Sequence, residues 1–158
     1  MDAEWRRYRI EQAGEYLEGI RRLGQRVRTI EAEVADLRAR AEGVGAIDYT
    51  RERVSRSAPG DSAAEAAGLL FDALDGYLYE LSGYEAERAR ARRCLAGLGS
   101  EAGHRVLTRR YLLGWKWGRI AEDMGYSAQS VYRIRDDALC EFYDLMPADA
   151  RDPRHPAL

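Results

Sequence analysis

The sequence predicts an all-α fold: a long, coiled-coil-like N-terminal antiparallel helical hairpin followed by a C-terminal helix-turn-helix domain. Three observations carry this. Apolar residues recur alternately three and four positions apart from Ala13 to Ala41. The same spacing returns from Ala63 to Leu98, after a connector dense in Gly, Ser, Pro and charge. Last, the stretch WGRIAEDMGYSAQSVYRIRDDAL, from Trp117 to Leu139, holds two short helical patterns broken only by Gly125, Tyr126 and Ser127.

The first seam runs Ala13, Tyr16, Ile20, Leu23, Val27, Ile30, Val34, Leu37 and Ala41, with Arg and Glu on the outer faces. This is an a/d repeat held for about four heptads. Gly43 and Gly45 are expected to end it, and residues 43–61 read as a connector. A second helix is announced by Pro59-Gly60 and then by Ser62 and Glu65, a capping box that satisfies two orphan backbone donors. Its seam continues through Leu70, Leu74, Tyr77, Leu81 and Tyr84, breaks at Arg88, and resumes at Ala91, Leu95 and Leu98. Such regular seams must be buried against another helix. Residues 1–99 therefore read as a hairpin, an oligomerisation or partner-binding region. A homodimer formed through the N-terminal helices is the alternative that spacing alone leaves open.

Gly97, Gly99 and Ser100 mark the next boundary, with Ser100 an N-cap and Glu101 favourable in the first turn. A short helix bearing Val106, Leu107, Tyr111 and Leu112 is stopped by Gly114. In a helix-turn-helix the backbones pass closely, so the first helix needs a small residue and the turn a residue that tolerates positive φ. Ala121 and Gly125 stand at those places, and Ile120, Met124, Val131 and Ile134 supply the apolar lock. Ser127 caps the second helix. The domain is expected over 100–146, with 147–158 as a flexible tail.

Charge is unevenly distributed. Residues 1–85 carry 12 Arg against 17 acids, whereas residues 86–158 carry 13 Arg and Lys against 10 acids. Between Arg88 and Arg119 the only acid is Glu101, a local field that favours a polyanion. The N-terminus has no signal-peptide pattern and no apolar run reaches membrane-spanning length. Cys94 and Cys140 are far apart and lack CxxC spacing, which fits core thiols in a reducing cytoplasm. No cluster of His, Cys and acid offers a metal site or a nucleophile–base pair, so neither a cofactor nor an enzyme is expected.

The stretch RVLTRRYLLGWKWGRIAEDMGYSAQSVYRIRDDALCEF resembles region 4 of sigma-70-type factors, and more closely the phage ArpU-like and RinA-like transcriptional regulators. Leu107, Arg110, Tyr111, Trp117, Ile120, Ala121, Met124 to Ser127, Val131 to Ile134, Ala138 and Leu139 carry the resemblance. Tyr16, Leu17, Val54, Ser57, Gly60 and Asp61 extend it weakly into the N-terminal half. Two positions depart from the pattern. Lys116 stands where a capping Ser or Thr is usual, and Asp136 and Asp137 add negative charge to the second helix.

The resemblance implies sequence-specific binding of double-stranded DNA and regulation of transcription, with activation of late phage or prophage genes as the expected role. It leaves open whether RNA polymerase is contacted. On the helix 127–139, Ala128, Gln129, Ser130 and Arg133 are the candidate base readers; Gln129 suits adenine, and Arg133 suits guanine or a phosphate. Arg109, Arg110, Lys116, Arg119, Ser127 and Tyr132 are the candidate phosphate contacts, which fix register without specifying sequence. Two other classes also fit a helix-turn-helix joined to helices: a phage DNA-packaging protein of the small-terminase kind, and a helical protein-interaction module without DNA.

Overall fold

The computed structural model describes residues 1–45 and 59–152, with the backbone alone for residues 44, 45 and 59–62. All the regular structure among these residues is helical. Helix α1 spans Ala3–Gly45, α2 Pro59–Leu95, α3 Glu101–Leu107, α4 Trp117–Met124 and α5 Ala128–Leu145. A π-helical turn, Thr108–Leu112, continues α3, and a short 3-10 turn, Ala148–Ala150, follows α5.

By internal packing the chain divides into two units, Met1–Gly24 with Tyr84–Leu158, and Gln25–Gly83. In the first, Ala13, Leu17, Ile20, Ala91 and Leu95 share one core with Leu107, Tyr111, Leu112, Ala138, Leu139 and Phe142. The ends of the two long helices thus belong to the same packed body as the C-terminal helices. Helix α1 also begins well before Ala13, because Trp5, Tyr8 and Ile10 pack on this core. Trp5 and Tyr8 stack at 5.4 Å, and both meet Tyr143 edge-on. Arg9 is buried beside them, ion-paired with Asp144 and lying 5.3 Å from the Tyr143 ring centre.

In the second unit Val27 and Val34 are buried, and Ile30, Leu37, Leu70, Leu74, Tyr77 and Leu81 are half-buried. Arg26 and Glu80 pair at 2.7 Å.

Two sequence expectations need correction. Helix α2 starts at Pro59, three residues before the start expected at Ser62. Proline suits a first helical turn, since its missing N–H would have no partner there. The first part of the expected tail is docked. Arg151 donates to the carbonyls of Asp144 and Met146, the Asp152 N–H donates to Gln12, and Arg90 pairs with Asp149. Residues 153–158 lie outside the described residues, as do most of the connector expected at 43–61 and its Val54 and Ser57. Of the two thiols, Cys140 is buried and Cys94 half-buried, both free. Among the described residues no helix is long and apolar enough to cross a membrane.

Candidate nucleic-acid interface

The local chemistry of α3 to α5 explains why these helices adopt fixed angles. Ser100 accepts a hydrogen bond from the Gly103 N–H at 3.0 Å and caps α3. At Thr108 the winding loosens into a π turn, in which the Leu113 N–H reaches the Thr108 carbonyl at 3.0 Å. Gly114, at φ 71°, then ends it. Gly125 closes α4 in the left-handed conformation at φ 68°, a region where a side chain would be strained. Ser127 starts α5 by accepting the Ser130 N–H at 3.2 Å. Only Gly125 to Ser127 separate the two helices.

A second, small core holds α3, α4 and α5 together. Val106, Ile120 and Val131 are fully buried, with Trp115, Trp117, Ala121, Met124 and Ile134 packed around them. Every apolar residue that the sequence assigned to the lock is in this cluster. Gly103 adds a close approach that spacing does not reveal, since an added Cβ would lie 2.8 Å from the Cβ of Ala138.

Arginines stack on the two tryptophans of the α3–α4 junction. Arg119 lies 3.8 Å from the Trp115 ring centre and Arg109 lies 5.1 Å from it. Arg110 and Arg135 flank Trp117 at 4.8 and 5.6 Å. Such pairs gain from the negative face of the indole.

The sequence-predicted site residues fall into two groups. Ala128, Gln129, Tyr132 and Arg133 are exposed and share one face of the first two turns of α5, opposite Val131 and Ile134. Lys116 and Arg119 are exposed at the start of α4. That start has no side-chain cap and no acid in its first turn, so its amide groups and partial positive charge are not met by a side chain.

The second group is committed internally. The Arg109 side chain is only 18% exposed and is ion-paired with Asp123. Arg110 donates to the Trp115 carbonyl at 3.1 Å while lying over Trp117. Ser127 donates its hydroxyl hydrogen to Ser130 at 3.0 Å, so both hydroxyls are engaged in the α5 cap. Tyr132 keeps an exposed edge but leans on Trp117, ring centres 5.3 Å apart.

Beyond Arg133 the helix changes role. Asp136 pairs with Arg135 at 2.6 Å and Asp137 with Arg6 of α1 at 2.6 Å. Ala138, Leu139, Phe142 and Tyr143 then enter the main core. The sequence reading missed the α1 residues Arg6 and Arg9 that hold this half of α5. Their signal was the spacing of Trp5, Tyr8, Gln12 and Ala13, which continues the α1 seam upstream.

Comparison with protein-family models, curated proteins and solved structures yields no match for this chain.

Proposed function

We propose that this chain binds double-stranded DNA in a sequence-specific way and regulates transcription, in the manner of the phage ArpU-like and RinA-like regulators that its C-terminal sequence resembles. One observation carries the reading. The exposed face of α5 formed by Ala128, Gln129, Tyr132 and Arg133 is set by a left-handed Gly125, a Ser127 cap and the Val106–Ile120–Val131 core. A recognition helix needs that combination of outward polar residues and a fixed entry angle. Gln129 and Arg133 read base edges in the major groove, and Lys116 and Arg119 at the uncapped start of α4 neutralise phosphates. Arg109 and Arg110 hold the scaffold and leave phosphate contact to those two. The far half of α5, with its carboxylates paired and its apolar face in the core, stays out of the groove.

The two long helices form an antiparallel hairpin in this reading. Tyr84 fills the space beside Gly24, and Glu80 pairs with Arg26, so position falls along α2 as it rises along α1. Ile20, Val27 and Val34 are buried within a single chain. A second copy is therefore not needed to cover these three positions, and in this reading the chain acts as a monomer.

Selection of bound DNA from a random pool by the full chain, followed by sequencing, tests the function. One enriched motif supports a regulator. Salt-sensitive retention without an enriched motif makes the chain a non-specific DNA-binding protein, and no retention removes DNA from its role.

A further inference from the structure

The outward half of α2 between Glu65 and Tyr79 is apolar and acidic together. Phe71 is 72% exposed and Tyr79 is 81% exposed, with Leu78 exposed beside them. At helical spacing Phe71, Asp75 and Leu78 form one stripe, and Asp72, Gly76 and Tyr79 form the next. Both turn away from the half-buried seam of Leu70, Leu74, Tyr77 and Leu81. Single exposed apolar residues are ordinary, but Phe71, Leu78 and Tyr79, three large ones within about 100° of one helix surface, mark a contact surface.

Charge and backbone access say what fits there. From Ala63 to Glu87 the sequence has Glu65, Asp72, Asp75, Glu80, Glu85 and Glu87 and neither Lys nor Arg. Gly68 and Gly76 weaken a helix relative to alanine. At Gly24 and Gly103 the chain itself fills the vacant space, with Tyr84 and Ala138, whereas nothing lies within 4 Å of the Cβ position at Gly68 or Gly76. The helix backbone is open at those points to close approach from outside.

We propose that this face docks a basic amphipathic helix of another protein, whose apolar residues seat among Phe71, Leu78 and Tyr79 and whose Lys or Arg residues meet Asp72 and Asp75. A second copy of this chain fits poorly. A second α2 lays its own Asp72 and Asp75 against the first pair, and like charges brought together repel. The exposed residues of α1 from Gln25 to Gly43 include Arg28 and Arg38 but no apolar side chain larger than alanine, so they bury little of Phe71. Attraction between opposite charges selects the partner, while the aromatic anchor holds it.

The test is a titration of the full chain with a labelled synthetic amphipathic peptide of leucine and lysine, followed by fluorescence anisotropy. A leucine–glutamate peptide of the same pattern is the control. The lysine peptide binds the wild type more weakly as salt rises, and the glutamate peptide does not bind. The Phe71→Ser/Leu78→Ser pair weakens binding about tenfold or more. The Asp72→Asn/Asp75→Asn pair removes most of the salt dependence. All four positions are exposed, so circular dichroism of both variants keeps the helical signal. Failure of the lysine peptide to bind, or equal binding by wild type and both variants, overturns the proposal. Sedimentation showing a wild-type dimer that Phe71→Ser/Leu78→Ser dissociates also overturns it, and gives the face to a second copy.

Discussion

The Cβ that alanine would add at Gly103 stands 2.8 Å from the Cβ of Ala138, so α3 and α5 meet there with no room for a side chain. Overpacking of this kind costs about 1–3 kcal/mol, against a gain in helix propensity of about 1 kcal/mol. Gly103→Ala is therefore expected to lower stability. Gly118, inside α4, has nothing within 4 Å of its Cβ position, so Gly118→Ala keeps the propensity gain. Urea unfolding of the two variants checks this, and a stabilised Gly103→Ala would remove the close approach.

The division of the arginines predicts opposite phenotypes. Arg110→Ala loses a bond to the Trp115 carbonyl and a stack on Trp117, so it should melt earlier, with its salt slope for DNA unchanged. Arg119→Ala loses only an exposed stack on Trp115, worth about 0.5–1 kcal/mol, so it should melt less early than Arg110→Ala while its salt slope shrinks by about one unit. Binding isotherms at several salt concentrations, read beside melting curves, separate the two. A reduced slope for Arg110→Ala would return that residue to the phosphate contacts.

Most of the C-terminal architecture was legible because its constraints are local. Glycine at a positive φ, a serine cap and branched apolar residues at helical spacing each leave a mark within a few positions. Gly114, Gly125, Ser127, Ile120 and Val131 all do what their spacing implies. What spacing could not supply was the partner across a long sequence gap. The pairing of Arg6 with Asp137, and the docking of Asp152 on Gln12, join residues more than a hundred positions apart. The same limit explains the arginines of the π turn. Arg109 and Arg110 looked like phosphate ligands because charge is visible in a sequence, whereas Asp123 and the Trp115 carbonyl become their neighbours only after folding.

Tyr16 gives the fold an alkaline limit. Burial, and after it the Glu87 carboxylate, push its phenol from 10.0 up to about 12. The folded chain thus holds this proton through a range in which the unfolded chain has lost it. The contribution is complete below pH 10 and disappears as pH rises towards 12. Burial raises Tyr111 in the same direction. The Tyr16 hydroxyl is buried without a hydrogen-bond partner, so Tyr16→Phe should cost little at neutral pH and flatten the alkaline fall in stability. Denaturant midpoints measured from pH 8 upward give the comparison; an unchanged slope in Tyr16→Phe would place the alkaline limit elsewhere.

Burial of Ile20, Val27 and Val34 within one chain predicts a monomer at micromolar concentration, since those seam positions have no surface left to share. Light scattering coupled to size exclusion should return the mass of a single chain, 17.9 kDa. A stable dimer at that concentration that Phe71→Ser/Leu78→Ser does not dissociate would mean that the two long helices exchange between copies.

Base reading by the first two turns of α5 is the centre of the account, and one titration addresses it directly. The wild type, Gln129→Ala and Arg133→Ala are each measured against the selected site and a scrambled duplex, with folding checked by circular dichroism. Each variant should lose on the order of 1–3 kcal/mol at the selected site and almost nothing on the scrambled one, with relaxed choice at one base position. If folded Gln129→Ala and Arg133→Ala keep the wild-type preference between the two duplexes, α5 does not read bases and the assignment fails.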